Sequence, residues 1–396
     1  MPTASSFLAW SYVPPVPPPG ECGLPPSGRH WYLKLRTWMK AHGAKPSSAD
    51  QCVFIGDGFI IGVYVDDMLI AYDDTRHTDK SLHSKFDTFM KELSEDFKVT
   101  IDEKAGDMLG VQIEQNDDFI LDFITLHHEN YIENMRKTYL DGERPEKHQT
   151  PASKDIKDLV DAACNATPHN DAKLKKMYQS LVGALLYSSI TVRPDISYAV
   201  GMLSRCTNNP SKALLNEAKR CLHYLVHTKT LGLRYVKGCD DMLWGQCDAD
   251  WHVHRSTSGF AFFMAGATIS YLSKKQPTIA MSSTEAEIMA ASQAALEAVF
   301  LRTLIEDLRG KELKDPIMIG IDNKGAVDMA LDYRSGPRTK HIARRHLKIR
   351  ELVEEAVVAV KRVATADNIA DIFTKPLEKR QFKALRDKLL NMPHDD

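Results

Sequence analysis

Ser282-Ser283-Thr284-Glu285-Ala286-Glu287-Ile288-Met289-Ala290-Ala291 reads as the opening of a long helix. Ser282 and Glu285 have the S-x-x-E spacing of a capping box, in which the two residues satisfy orphan amides of the first turn. The apolar run behind them predicts a helix over Ser283–Leu308. Strand-like segments flank it: Leu243–Cys247, Gly259–Met264 and Thr268–Ser273 before, Ile317–Ile321 after. A basic helix is expected at about 338–355, a final strand at Val357–Val363, and helix again from Asn368. The order β-β-β-α-β-α-α-β-α is that of an α/β domain.

Four acids fall at the ends of these elements. Asp248 closes the first strand, Glu287 sits on the first turns of the long helix, Asp322 ends the fourth strand, and Asp371 lies on the terminal helix. Any one of them alone reads as a solvated acid. Four together are different, because like charges about 3–4 Å apart repel and raise pKa values. Such a cluster makes sense where divalent cations neutralise it. Hard carboxylate oxygens suit Mg2+ or Mn2+, and two such ions about 3.5–4 Å apart serve phosphodiester hydrolysis.

The motifs around these acids resemble the ribonuclease H domain of copia-type retrotransposon polyproteins. They run in order: Cys247-Asp248-Ala249-Asp250-Trp251, Ser256-Thr257-Ser258-Gly259, Ser273-Lys274-Lys275-Gln276, the helix opening above, Asp322-Asn323, Arg338-Thr339-Lys340-His341-Ile342, and Ala370-Asp371-Ile372-Phe373-Thr374-Lys375-Pro376-Leu377. The resemblance implies a mixed five-stranded sheet, with Asp248, Glu287, Asp322 and Asp371 as catalytic, metal-binding acids. Glu287 is preferred to Glu285 because the family acid precedes a hydrophobic-x-Ala-Ala stretch, and Glu285 is taken by the cap. The loop Trp251-His252-Val253-His254-Arg255 departs from the family in being short and His-rich; His252 and His254 read as polar loop residues. Ala343 stands where the family has an acid, and no histidine lies between His346 and Asp371.

From Arg334 to Arg350 there are seven Lys or Arg residues and no acid. Arg338, Lys340, Arg344, Arg345 and Lys348 are therefore candidates to follow a phosphate backbone.

Tyr64-Val65-Asp66-Asp67 lies between two apolar strands, Phe59–Val65 and Met68–Tyr72, with a third at Val53–Ile55. In that context it resembles the copia-type reverse transcriptase palm, where Asp66 and Asp67 would bind metal. Trp31, Leu33, Leu35, Trp38 and Met39 predict an amphipathic helix, and so do Leu82, Phe86, Phe89, Met90 and Leu93 within His77–Asp96. A second hairpin is expected from Met108–Ile113 and Phe119–Ile124. Tyr178–Tyr187 with Arg193-Pro194-Asp195-Ile196 resembles the family's helical segment between polymerase and nuclease, and Leu174–Thr228 reads as mostly helical. The family has a further metal-binding Asp upstream of Ser27-Gly28-Arg29; here that stretch is a proline-rich leader, so the polymerase site is expected to be incomplete.

The expected organisation is a disordered leader at 1–28, a truncated palm at 29–140, a linker at 141–170, a helical connection at 171–238 and a ribonuclease H-like domain at 242–391. The leader carries eight of the nineteen prolines. Its Pro14–Pro17 spacing has the form of an SH3 ligand, although a disordered leader is the plainer account.

With 51 Lys and Arg against 53 Asp and Glu, the chain is near neutral, which excludes a globally basic nucleic-acid binder. Seven cysteines without a CxxC pair argue against a disulfide scaffold or zinc ribbon and fit an intracellular setting, cytoplasmic or nuclear. No uninterrupted run of about 18 apolar residues is present, so no membrane partner is expected. The expected partner is an RNA–DNA hybrid or other nucleic acid, with Mg2+ or Mn2+ and no small-molecule cofactor beyond the metal. The competing expectations are a decayed, non-catalytic remnant that grips nucleic acid and an integrase-like transferase; a glutamate on the first helix disfavours the second.

Overall fold

The computed structural model describes residues 4–12, 27–73, 80–97, 99–102, 105–115, 123–167, 171–239, 241–252, 255–331 and 348–393. Two compact units emerge. One comprises Met1–Leu109 and Val299–Lys314, the other Gly110–Ala298 and Asp315–Asp396.

The first unit holds a six-stranded antiparallel sheet in the order Lys45–Pro46, Val53–Gly56, Phe59–Tyr64, Asp67–Asp73, Ala4–Tyr12, Val99–Asp102. Phe59 and Ile61 on one strand, and Met68, Ile70 and Tyr72 on the next, are buried at the period of two that gives one sheet face to the core. Helices Ser27–Ala41 and Lys80–Phe97 bury Leu35 and Met39, and Phe86, Phe89, Met90, Leu93 and Phe97, at helical spacing. The strand Ala4–Tyr12 corrects the expectation of a disordered leader. Residues 4–12 contain no proline and are rich in strand-forming Phe7, Trp10 and Tyr12, a signal lost when composition is averaged over 1–28. The proline-rich remainder, 13–26, lies outside the described residues.

In the second unit, Val111–Gln115, Phe123–His127 and Gly232–Val236 form an antiparallel ribbon. The expected hairpin is present, its strands running on to Gln115 and His127, past the expected Ile113 and Ile124; 116–122 lie outside the described residues. Helices Glu129–Tyr139, Ile156–Asn165, Ala172–Thr191, Ser197–Ser204 and Lys212–His227 follow the chain. The expected linker is thus in part a packed helix. Ile156, Val160 and Ala163 make a narrow buried stripe in an otherwise polar stretch, so its hydrophobic period is faint in sequence.

A five-stranded mixed sheet completes this unit, ordered Ala267–Lys275, Thr257–Met264, Trp244–Asp250, Ile317–Ile321, Val358–Arg362. The first two pairings are antiparallel and the last two parallel. The helix Ser283–Arg309 makes the crossover that parallel pairing demands. By length and composition this helix could cross a membrane. In the fold, its Ile288, Ala291, Ala294, Ala295 and Ala298 are buried, which accounts for its apolar character as a core helix.

The divisions expected at 140, 170 and 238 all fall inside this unit. A single apolar cluster joins Tyr178, Leu203 and Leu222 of the helices to Ala261, Phe263, Phe373 and Leu389 of the sheet region. Tyr235 Oη donates to Thr268 O at 2.7 Å and Asn391 Nδ2 to Arg234 O at 2.8 Å, so the chain near Cys239 is stitched to the sheet rather than hinged. The physical reason is that helices with one apolar stripe need a second layer, and here the sheet region supplies it. Within the helices, fully buried Arg193 donates twice to Asp195, at 2.9 and 2.8 Å, and once to Thr228 O at 2.9 Å, while Tyr224 Oη donates to Asp195 Oδ2 at 2.6 Å. The buried charge pair is therefore matched in both charge and hydrogen bonds.

Candidate active site

Asp248 and Asp322 meet because their strands are parallel neighbours in register. Cys247 is paired with Ile321, so the next residue on each strand is an aspartate at the same level of the sheet. Asp322 follows the last residue of its strand, whereas Asp248, expected to close its own, lies inside Trp244–Asp250 and is still paired with Gly259; both stand toward the carboxyl ends of their strands, where open α/β sheets place their ligands.

Asp371 arrives by a different route. It lies on a short 3-10 turn, Ile369–Phe373, ahead of the terminal helix Lys379–Leu390 rather than on it. Polar side chains pin that turn to the sheet. Asn368 Nδ2 donates to Cys247 O at 3.1 Å, Ile369 N donates to Gln246 Oε1 at 2.6 Å, and Ser273 Oγ donates to Phe373 O at 2.6 Å. Gly259 makes the close approach possible: a Cβ there would stand 2.6 Å from Phe373 Cβ and 2.9 Å from Thr374 Cγ2. One carboxylate oxygen from each of Asp248, Asp322 and Asp371 comes within 4.8 Å of the others.

Glu287 stands beside this trio on the helix whose cap the sequence predicts. The cap forms, with Glu285 N donating to Ser282 Oγ at 3.1 Å and Glu285 Oε2 accepting from Met281 N at 2.7 Å. Glu287 accepts from the Ala249 amide, and its Oε2 is buried with no hydrogen-bond partner among the described residues. Burial first, then the charges of Asp248 and Asp322, push its carboxyl up to about 9. Burial and Asp248 likewise raise Asp371 to about 7, against the pull of Lys375. Asp248 is also raised, by burial, although Lys375 and the Thr374 hydroxyl favour its charged form.

These residues fit a divalent cation. The donors are all hard carboxylate oxygens, three acids are nearly buried and mutually repelling, and Glu287 offers an orphan oxygen. Thr374 and Lys375 are contributions that the sequence reading leaves without a role. Thr374 Oγ1 donates to Asp248 Oδ2, and Lys375 Nζ lies 2.9 Å from Asp371 Oδ1. Their signal is position: both sit within four residues of an acid, in a motif otherwise apolar. Asp250 pairs with Lys157, and its charge adds to those that raise Asp248.

Asp66 and Asp67 belong to the first unit. The tight turn is Val65-Asp66, not Asp66-Asp67, since Asp67 pairs with Tyr64 across the hairpin. Val65 has φ +55°, a strained value for a β-branched residue, and its carbonyl accepts from Trp31 Nε1 at 2.8 Å. Burial raises the Asp67 carboxyl, with Asp66 and Asp107 adding to the effect. The neighbouring strand Ala4–Tyr12 carries no acid, and no three-acid group forms around this hairpin among the described residues.

Of the basic candidates, Arg338, Lys340, Arg344 and Arg345 lie outside the described residues. Lys348 opens the helix Lys348–Glu354 and pairs with Glu351 at 2.5 Å. Trp251, half exposed, donates to Ala280 O at 3.1 Å, whereas Tyr271 stacks on Phe373 in the core.

The chain is 31% identical over 375 residues to the retrovirus-related Pol polyprotein from transposon TNT 1-94 of Nicotiana tabacum, covering 92% of this chain and 27% of that protein. It is 33% identical over 302 residues to a transposon Ty5-1 protein of Saccharomyces cerevisiae, covering 70% of this chain and 87% of that one. The chain thus spans about a quarter of the tobacco polyprotein and most of the yeast protein. Among solved structures, the foamy viral protease-reverse transcriptase in complex with dsDNA is similar with TM-score 0.46 and 12% identity, over 87% of this chain and 60% of that one. No protein-family model matches the chain.

Proposed function

Since the chain belongs to the copia-type retrotransposon Pol family, we propose that its second unit hydrolyses the RNA strand of RNA–DNA hybrids at the four-acid cluster. The observation that carries this is the convergence of Asp248, Asp322 and Asp371 within 4.8 Å, beside the orphan oxygen of Glu287. The substrate class follows from the motif resemblance and from membership of a family named for retrovirus-related Pol proteins.

Asp248, Glu287 and Asp322 would hold Mg2+ or Mn2+, with Asp371 completing the site. Bound there, such cations supply water activation and leaving-oxygen stabilisation. The protein's part is to hold its acids rigidly: Asp248 and Asp322 by strand register, Glu287 by the capped helix, Asp371 by the pinned turn. Burial keeps the carboxylates short of water and hungry for a counter-charge. Arg338, Lys340, Arg344, Arg345 and Lys348 are proposed to bear on the phosphate backbone of the hybrid. The hairpin acids Asp66 and Asp67 are proposed as polymerase-type metal ligands that do not support synthesis here, since the strand paired beside Asp67 carries no acid.

A labelled RNA–DNA hybrid incubated with the purified chain and Mg2+ or Mn2+ tests this. RNA-strand cleavage that chelator abolishes is expected, with single-stranded RNA left intact. Absence of cleavage with either metal would overturn it in favour of a binding remnant.

A further inference from the structure

Lys375 follows Asp371 by four residues, and the proposed hydrolysis makes no use of it. Its Nζ lies 2.9 Å from Asp371 Oδ1 and 3.7 Å from Asp248 Oδ2. Both acceptors belong to the acid cluster. The lysine side chain is 32% exposed, whereas the aspartates it meets are 2% and 3% exposed. The ammonium therefore enters the cluster from its solvent side, on a flexible four-carbon stem. A dication bound by Asp248 and Asp371 would need the same oxygens and would sit within a few ångströms of Nζ. At that range two positive centres repel strongly in a partly buried site.

We propose that Lys375 is a built-in counter-cation, neutralising Asp248 and Asp371 when no divalent ion is bound and yielding its place when one arrives. The inference rests on the four acids being a metal site. It assigns Lys375 two effects. The lysine holds the carboxylates together in the metal-free protein, and it sets the divalent concentration at which the site fills. It is a positioning residue, acting through the acids rather than on substrate.

Mn2+ binding to the full chain, read from the loss of the free-ion electron paramagnetic resonance signal, tests this with Lys375→Gln and Lys375→Arg. Glutamine removes the charge and should lower the Mn2+ dissociation constant by roughly tenfold or more. Arginine keeps the charge and should bind Mn2+ no more tightly than the parent. Without metal, Lys375→Gln should melt below the parent, and saturating Mn2+ should erase the difference. Equal or weaker Mn2+ binding by Lys375→Gln overturns the proposal, as does a gain by Lys375→Arg of the same size. If Lys375→Gln folds only with Mn2+ present, the arginine variant alone decides. A parent that binds no Mn2+, or binds it undiminished after Asp322→Asn, removes the metal-site reading and this inference with it. A parent that binds at the cluster while Lys375→Gln gains nothing removes only the counter-cation.

Discussion

Glu285 and Glu287 stand two residues apart on one helix, and their carboxylates face different tasks. Glu285 Oε2 accepts the Met281 amide at 2.7 Å and closes the cap, while Glu287 Oε2 is buried without a partner among the described residues, beside Asp248 and Asp322. Glu287→Gln is expected to abolish RNA cleavage and leave the metal-free protein as stable as the parent or slightly more so. Glutamine keeps glutamate's helix propensity and matches the uncharged form that burial and the neighbouring acids already favour at Glu287 in the metal-free protein. Glu285→Gln should cost about 1 kcal/mol or less through the cap and retain most cleavage. Cleavage time courses and melts of both variants check the pair. An inactive Glu285→Gln beside an active Glu287→Gln reverses the assignment.

Stability of the metal-free chain should depend on pH in the sense opposite to ordinary carboxylates. Glu287 is raised to about 9 and Asp371 to about 7, in both by burial ahead of the neighbouring charges. A carboxyl raised on folding binds more protons folded than unfolded. Its contribution is complete below about pH 4 and is lost as pH rises through the folded value. With chelator present, the melting temperature should fall from about pH 5 to about pH 9, and Mg2+ should flatten that fall by replacing the protons. A melting temperature that climbs over the same range with chelator contradicts the shifts.

Primer extension is expected to be absent. The hairpin contributes Asp66 and Asp67, and the strand paired with Asp67–Asp73 has no carboxylate to add. Nucleotide incorporation that disappears on Asp66→Asn would show a working polymerase. Hybrid cleavage should be unaffected by Asp66→Asn, since the hairpin and the four-acid cluster belong to different compact units.

The packing also decides where the chain can be cut. A fragment of residues 242–391 would strip Tyr178, Leu203 and Leu222 from the cluster that holds Ala261, Phe263 and Phe373. It should melt broadly and bind a hydrophobic dye, whereas 110–396 should melt cooperatively. Equal cooperativity in the two fragments would mean that the shared core is dispensable.

Much of the site is legible in the sequence because its signals are local. The capping box places Glu287, and strand-like segments lead directly into Asp248 and Asp322. The seat of Asp371 is not legible. Asn368 reaches Cys247 O and Ile369 reaches Gln246 across 121 and 123 residues, and bonds of that kind leave no periodic trace. The helix Ile156–Asn165 is obscured for a related reason, since a three-residue stripe is a weak pattern in a polar stretch. The strand Ala4–Tyr12 escapes because the prolines that follow dominate the composition of the segment.

Gly259 changes what counts as an intact copy of such a gene. The turn bearing Asp371 lies so close against this strand that a single methyl at 259 would collide with Phe373 and Thr374. Gly259→Ala should therefore displace Asp371 and suppress cleavage with every acid still encoded. Mutational decay of a mobile element need not erase a catalytic letter to silence it. If the proposed hydrolysis holds, a survey that scores only the four carboxylates would overlook such copies, and position 259 belongs beside them in the count.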